Sequence, residues 1–287
     1  GSLNDEQLRA LSERLVYLRN LEEKKASVLA TIEEQGKLTD ELKKQIEAVM
    51  TMVALEDLYR PYRPKRRTRA TIAKEKGLEP LAEILRAQAT TRTIEEEATA
   101  FVDAEKGVES VQDAIDGAKD ILAEVYADDA DYRTKLRAMT KESGSLVAKA
   151  KDEEADSVYE MYYDFSEPIK KLVGHRILAI NRGEAEKFLT VKIEAPRQEI
   201  LLWLVKQIIG NMKHDSASYL YEAITDSYDR LIAPSIEREI RNELTEKAEE
   251  GAIGVFGKNL HQLLMQPPIS GQVVLGWDPA FRTGCKL

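Results

Sequence analysis

The sequence has 287 residues, of which 43% are hydrophobic and 32% charged, a composition that excludes a disordered chain and predicts a folded protein. The net charge of −9 excludes a protein that coats nucleic acid with its whole surface, so any such contact has to be local. There is no apolar run of membrane-spanning length and no signal-peptide pattern, and the single cysteine, Cys285, excludes an intramolecular disulfide. Together these features predict a cytoplasmic location.

Residues 1–59 predict a helical hairpin. Asn4 and Gln7 are spaced as a capping pair, Gly36 interrupts the first helix, and Thr39 is placed to cap a return helix. Apolar residues follow at helical spacing in both arms: Leu8, Leu11, Leu15 and Leu18, then Leu42, Ile46, Val49 and Val53. Since the stripes are too short for an intermolecular coiled coil, we expect them to pack within the hairpin.

Residues 60–77 form a basic connector, in which eight basic residues stand against the single acid Glu75. The rest of the chain has 34 basic and 50 acidic residues, a balance of −16. The prolines exclude a continuous helix here. The charges permit two readings: an internal clamp on acids of neighbouring helices, or a patch that contacts a polyanion. The candidate nucleic-acid-binding residues are Arg60, Arg63, Lys65, Arg66, Arg67 and Arg69.

Residues 78–268 predict a central helical scaffold. Capping boxes at Thr93 and Ser110 mark two helix starts, and the acidic run 152–156 is typical of a solvated helix face. Further helices are predicted over 78–88, 131–141, 175–182 (closed by Gly183), 196–208 and 219–232, with a short strand over 188–193. Pro234 is expected to open a long helix that ends at residues 266–268, and 271–278 to form a buried strand.

Few residues have the pattern of a catalytic or metal site. His175, His214 and His261 lack metal-ligand spacing, and neither a phosphate-binding loop nor a nucleophile elbow is present. Asp278, at the end of the predicted strand, could hold a metal or a phosphate, but a two-metal nuclease needs several neighbouring carboxylates. We therefore predict no catalytic residue, no metal and no cofactor.

Several stretches resemble the Tex family of bacterial transcription accessory proteins. The most specific is Leu55-Glu-Asp-Leu-Tyr-Arg-Pro-Tyr-Arg-Pro-Lys-Arg-Arg-Thr68, and Leu275-Gly-Trp-Asp-Pro-Ala-Phe-Arg-Thr-Gly284 matches near the end. The chain departs from the family pattern at Ala280, where glycine is usual, at Val173-Gly174, and at Arg60, which replaces an apolar residue.

The resemblance implies a mainly α fold that leads into a truncated YqgF-like, RNase H-type domain over 269–287, with Asp278 as its first acid, inactive as a nuclease. It also implies that the main nucleic-acid-binding modules of such proteins lie outside this sequence. We therefore expect a non-catalytic, monomeric scaffold that associates with RNA or DNA and with transcription proteins such as RNA polymerase. Two alternatives stay open: a protein-interaction scaffold in which the connector is only an internal clamp, and a metal-dependent nuclease that uses Asp278.

Overall fold

The computed structural model describes residues 4–64, 66–210, 214–267, 270–280 and 284–287, and the fold is mainly α, as predicted. In chain order the helices are α1 (Asp5–Glu34), α2 (Asp40–Ala48), α3 (Met52–Tyr59), α4 (Arg69–Glu75), α5 (Glu79–Ala87), α6 (Ile94–Thr99), α7 (Val111–Asp128), α8 (Ala130–Ser143), α9 (Gly174–Ala185), α10 (Arg197–Ile208), α11 (Ala217–Asp226) and α12 (Ala233–Leu264). The strands are β1 (Ser145–Ala150), β2 (Asp164–Pro168), β3 (Leu189–Glu194), β4 (Asp278–Ala280) and β5 (Gly284–Lys286).

The predicted helix starts are confirmed by their caps. Asn4, Thr93 and Ser110 each form a capping box in which the side chain accepts the backbone N–H three residues on and the reciprocal bond is present. The Thr39 hydroxyl accepts the N–H of Leu42 and opens α2. These bonds satisfy donors that a helix start leaves without a partner, which is why the sequence signals them so clearly.

The N-terminal hairpin has its own small core, but its return arm is broken. Residues 49–51 separate α2 from α3, and the hydroxyl of Tyr17 accepts the N–H of Met52 at 2.9 Å across this break. The prediction of one continuous return helix is therefore wrong. The core comprises Leu21, Val28, Ile32, Ile46, Leu55 and Tyr59.

The first leucines of α1 do not pack in the hairpin. Leu8, Leu11 and Leu15 are about half exposed, at 48%, 58% and 46%. A helix of 30 residues is longer than the two short helices that return along it, so its first turns have no neighbour among the described helices. Packing within the hairpin is confirmed from Leu21 onward only.

The main core surrounds α7, which buries residues on several faces against α4, α5, α6 and α11. Beside it lies an antiparallel sheet of order β2-β1-β3, in which Val147 lies opposite both Ser166 and Lys192. The prediction placed a strand at β3 but missed β1 and β2. The run 152–156, predicted as a helix face, is instead an exposed turn region between β1 and β2.

Pro234 lies in the first turn of α12, as predicted, but it does not start a new helical segment. Helix α11, a π-helical segment (Ser227–Ile232) and α12 follow one another without a break, so that Pro234 lies inside a single rod over residues 217–264. Proline lacks an N–H and its ring crowds the carbonyl four residues earlier, and the wider π turns accommodate it. Likewise Gly183 does not end α9, which continues to Ala185.

The second half of α12 and the tail are exposed. The buried stripe of α12 ends at Ala248, and Ile253, Phe256 and Leu263 are each at least 62% exposed. The predicted buried strand over 271–278 is wrong, since residues 273–277 are exposed and irregular, and the two-stranded hairpin begins only at Asp278. Among the described helices, none is long and apolar enough to cross a membrane.

Candidate nucleic-acid interface

The basic connector, residues 60–77, forms a strap that follows α3 directly and includes α4. Pro61 lies in a single 3-10 turn directly after α3, and the Thr68 hydroxyl accepts the N–H of Thr71 at 3.1 Å to start α4. The side-chain amide of Gln35 donates to the carbonyl of Tyr62 at 2.8 Å, which ties the strap to the end of α1. Lys65, one of the candidate residues, lies outside the described residues.

Three of the candidate arginines have carboxylate partners within the chain. Arg60 lies 3.3 Å from Asp128 at the end of α7, and it is about one-third exposed. Arg63 pairs with Glu56 and also lies over the Tyr59 ring, 5.7 Å from its centroid.

Arg67 pairs with Glu75 at 2.7 Å, and both side chains are more than half exposed. Exposed pairs of this kind contribute about 0–1 kcal/mol, so Arg63 and Arg67 can exchange their carboxylate for a phosphate at little cost.

Arg66 and Arg69 are the outward cations of the strap. Both side chains are exposed, and neither makes a hydrogen bond or ion pair with a described residue. Arg69 lies close enough to Asp120 to act on it: burial raises the pKa of Asp120, and the positive charges of Arg230 and Arg69 oppose that shift. The strap therefore turns Arg60 inward and presents Arg66 and Arg69 to solvent.

A buried ionic cluster joins α3, the helix directly before the strap, to α8 and α12. Arg133 of α8 is fully buried; its Nε donates to Asp57 of α3 at 2.9 Å and its Nη2 to Glu239 of α12 at 2.6 Å. Arg137, one turn further along α8, makes a second set of bonds to the same two acids at 2.8–3.0 Å. We call Asp57, Arg133, Arg137 and Glu239 the ionic cluster. It crosslinks three helices from distant parts of the sequence.

The cluster also sets the charge environment of the strap. Burial lowers the pKa of Arg60, and the neighbouring positive charge of Arg133 adds to the effect, while Asp128 opposes it. Burial would raise the pKa of Glu239, but the charges of Arg137 and Arg133 outweigh it and leave this pKa lowered. The sequence predicted that acids of neighbouring helices could hold the connector, but nothing in it linked Asp57 to Arg133, 76 residues away.

The other candidate residues do not assemble a site. Asp278 is exposed at the start of β4, opposite Lys286 of β5. His214 is held by Ser216 and by the carbonyl of Thr90 at 2.7 and 2.8 Å, a structural role in the loop before α11. Across the parts of the chain that the structure describes, no three His, Cys, Asp or Glu side chains are grouped so as to hold a metal.

The sequence of this chain matches the model of a known protein family. Residues 89–256, more than half of the chain, match the family model described as Tex central region-like. The chain belongs to the Tex family. The matched region of this Tex-family chain includes Arg133, Arg137 and Glu239, whereas Asp57 and the connector precede it.

Relatives cover the whole chain. It is 48% identical to the uncharacterized protein YdcI of Bacillus subtilis (strain 168), 39% identical to the transcriptional accessory protein Tex of Neisseria gonorrhoeae, and 32% identical to the S1 RNA-binding domain-containing protein 1 of Homo sapiens. Each match includes 100% of this chain, but only 40%, 38% and 30% of the respective relative. The chain thus spans about two fifths of the length of its bacterial relatives.

The lowered pKa of Glu239 predicts an acid sensitivity of the Tex-family scaffold. A carboxyl whose pKa is lower in the folded chain stabilises the fold above its unfolded pKa, near 4.5, and loses that contribution as the pH falls through the folded pKa. We expect the free energy of unfolding to fall below about pH 4.5, and less steeply in Glu239→Gln, which has no proton to gain.

Urea unfolding at a series of pH values measures both slopes. Glu246→Gln is the matched control, because Glu246 is an exposed carboxylate of the same helix with no ion pair to a described residue. A Glu239→Gln acid limb as steep as that of the control variant would rule out a contribution from the cluster.

Proposed function

We propose that this chain is the helical scaffold of a cytoplasmic transcription accessory factor that associates with nucleic acid, and that it is not itself catalytic. Support comes from the family and from the relatives' names: one is called a transcriptional accessory protein, another an RNA-binding domain-containing protein. The observation that carries the proposal is the division of the connector's arginines, with some paired inside the chain and Arg66 and Arg69 left outward.

In this proposal the scaffold holds the strap in position, and the outward arginines contact phosphate. Arg60 ties the strap to Asp128 at the end of α7, and the ionic cluster fixes the preceding helix α3 against α8, so Arg66 and Arg69 follow a well-anchored segment. Guanidinium groups bind phosphate oxygens without reading the bases, so this contact adds affinity and orientation rather than sequence preference. The rest of such a factor supplies further binding surfaces.

The double variant Arg66→Glu, Arg69→Glu tests the contact directly. We expect its affinity for a labelled duplex to fall roughly tenfold at low salt, and the log–log salt slope to lose about 1.8, since each phosphate contact contributes about 0.9. Fluorescence anisotropy at several salt concentrations, with single- and double-stranded RNA and DNA, gives both quantities.

The matched control is Arg92→Glu, Arg238→Glu, which makes the same charge change at exposed arginines without described ion pairs. An equal loss of affinity in this control would show a general charge effect. Absence of binding by the parent chain at low salt would contradict the proposed phosphate contact.

A second function, a protein-interaction scaffold, is favoured by a different observation. The second half of α12 exposes Ile253, Phe256 and Leu263 along with neighbouring apolar residues, an area typical of an interaction surface. If the connector acts only as a clamp, Arg63→Glu and Arg67→Glu should lower the melting temperature without a change in nucleic-acid binding.

A divalent-dependent cleavage assay on the full-length protein, with Asp278→Asn, tests the absence of nuclease activity.

A further inference from the structure

An open cavity of about 310 Å³ lies where the end of β3, the start of α10 and the π-helical segment meet. Its apolar lining, which we call the floor, is formed by Ile193, Ala195, Ala233 and Ile236. Its polar lining consists of Thr140, Glu194, Arg197, Tyr228, Asp229 and Glu237. The cavity is far in sequence from the basic connector, and the proposed function does not use it.

Tyr228 is the unusual group of this cavity. The residue is only 3% exposed, yet its hydroxyl makes no hydrogen bond with any residue that the structure describes. The hydroxyl of Tyr126 is fully enclosed and has no partner among the described residues, whereas the hydroxyl of Tyr228 is not enclosed in this way, and Tyr228 lines the cavity. Burial, reinforced by Asp229, raises the pKa of Tyr228 to about 12, so the hydroxyl stays protonated. The donor and the acceptor of the Tyr228 hydroxyl are thus both available to a group that binds in the cavity.

The charges that remain available in the cavity are negative. Arg197 and Asp229 satisfy each other through two parallel bonds of 2.8 and 2.7 Å. Glu237 uses one oxygen to accept the N–H of Ile193 at 2.9 Å, which leaves its second oxygen available. Glu194 is an exposed lining residue and makes no ion pair with a described residue. Two carboxylates and one hydroxyl oxygen are thus left as acceptors, with an apolar floor beneath them.

We propose that this cavity binds a primary alkylammonium group, with the ammonium bonded to Tyr228 and Glu237 near Glu194 and the alkyl stem on the apolar floor. An ammonium carries three donors and no acceptor, which matches a set of three acceptors. An anion would meet a surplus of negative charge, and a bare metal ion would gain nothing from the floor of Ile193 and Ile236. The group can come from a free di- or polyamine or from a lysine side chain of a partner.

The π-helical segment gives this proposal a structural basis. It places Tyr228 and Asp229 on the cavity side of the long rod, directly before Pro234. Isolated π turns in helices occur frequently at functional sites, because they shift side chains out of the regular helical register.

Titration of the 287-residue chain with 1,4-diaminobutane and n-butylammonium, followed by two-dimensional NMR, tests the site. We expect saturable shifts centred on the backbone signals of residues 193–197 and 228–237. Tyr228→Phe and Glu237→Gln should each weaken binding about tenfold, the effect of removing one hydrogen bond to a charged group. Gln keeps an oxygen to accept the N–H of Ile193, so Glu237→Gln changes the charge while the fold is preserved.

Tyr126→Phe is the matched control, since it removes a buried hydroxyl without a partner elsewhere in the core and should leave binding unchanged. Neutral n-butanol and MgCl₂ should produce no saturable shift. A capped Gly-Gly-Lys-Gly-Gly peptide that binds more tightly than the free amines would identify lysine as the source, and weaker binding would identify a small amine. Absence of saturation by every amine, equal binding of n-butanol or Mg²⁺, or unchanged binding in both cavity variants would overturn the proposal.

Discussion

Arg133→Met is expected to lower the free energy of unfolding by about 3–5 kcal/mol, the largest effect of any single charged residue in the cluster. The Arg133 side chain is fully buried, and two carboxylates, Asp57 and Glu239, accept its hydrogen bonds. Methionine fills the volume but leaves those acids with Arg137 alone, so negative charge is left buried without full compensation. Urea unfolding followed by circular dichroism measures the loss.

The same variant should loosen one part of the structure before the rest. The ionic cluster is the polar link from α3 to α8 and α12, so amide exchange in α3 should accelerate more than exchange in α7, whose neighbours are apolar. The hairpin core itself, from Leu21 to Tyr59, keeps its contacts.

Arg86→Met serves as the control, because Arg86 pairs with Glu83 only at the surface, at 3.4 Å, and its loss should cost no more than about 0.5 kcal/mol. A second comparison is the double variant Arg133→Met, Asp57→Leu, which removes both members of a buried pair and should recover part of the loss. Equal stability of Arg133→Met and Arg86→Met would contradict a stabilising role for the cluster.

The sequence predicted the features that depend on neighbouring residues. The caps at Asn4, Thr39, Thr93 and Ser110 follow from a side chain that reaches a backbone donor three residues away, and all four are confirmed. The mainly α fold follows from the same local periodicity. The sequence also predicts the basic connector, because its charge contrast with the rest of the chain is a property of composition.

The sequence did not predict features that depend on distant contacts. Strand β1 pairs with β3, whose residues lie 39 to 49 positions later in the chain, and its buried run Leu146-Val-Ala148 has no alternation that would separate it from a helix. The sequence also does not show where a buried stripe ends. Leu260 and Leu263 continue the apolar stripe of Ile236 and Ile240, yet no described element covers them. Periodicity shows which face is apolar and does not show whether a neighbour is present.

The candidate site likewise combines features that the local sequence predicts with features that distant contacts determine. Composition identified Arg60, Arg63, Arg66, Arg67 and Arg69 as one group, but their partners are set by tertiary contacts such as Arg60 with Asp128. Pro234 is a related case: it lies in the first turn of α12, as the sequence predicted, but the sequence did not show that a π-helical segment leads into this turn without a loop.

Gly144→Ala is expected to destabilise the chain by about 2–3 kcal/mol through a backbone collision. Gly144 joins α8 to β1, and an added Cβ would press well inside van der Waals contact with the carbonyl oxygen of Thr140 while lying 3.2 Å from the carbonyl oxygen of Glu194. Backbone atoms cannot rotate away as a side chain can. The residue is held in place as well, since its N–H donates to Thr140 at 2.8 Å and its carbonyl accepts the N–H of Ile169 at 3.0 Å.

Gly251→Ala makes the same chemical change in open space and isolates the collision. Gly251 lies within α12, and no atom of a described residue approaches the position of its Cβ within 4 Å, so alanine should raise helix stability by up to about 1 kcal/mol. The two variants are therefore expected to shift the urea midpoint in opposite directions. Gly144 has a φ of −81°, which alanine adopts freely, so backbone strain cannot account for a loss. A midpoint for Gly144→Ala equal to that of the parent chain would mean that α8 and β1 move apart at this junction, and would remove the argument that their backbones are fixed there.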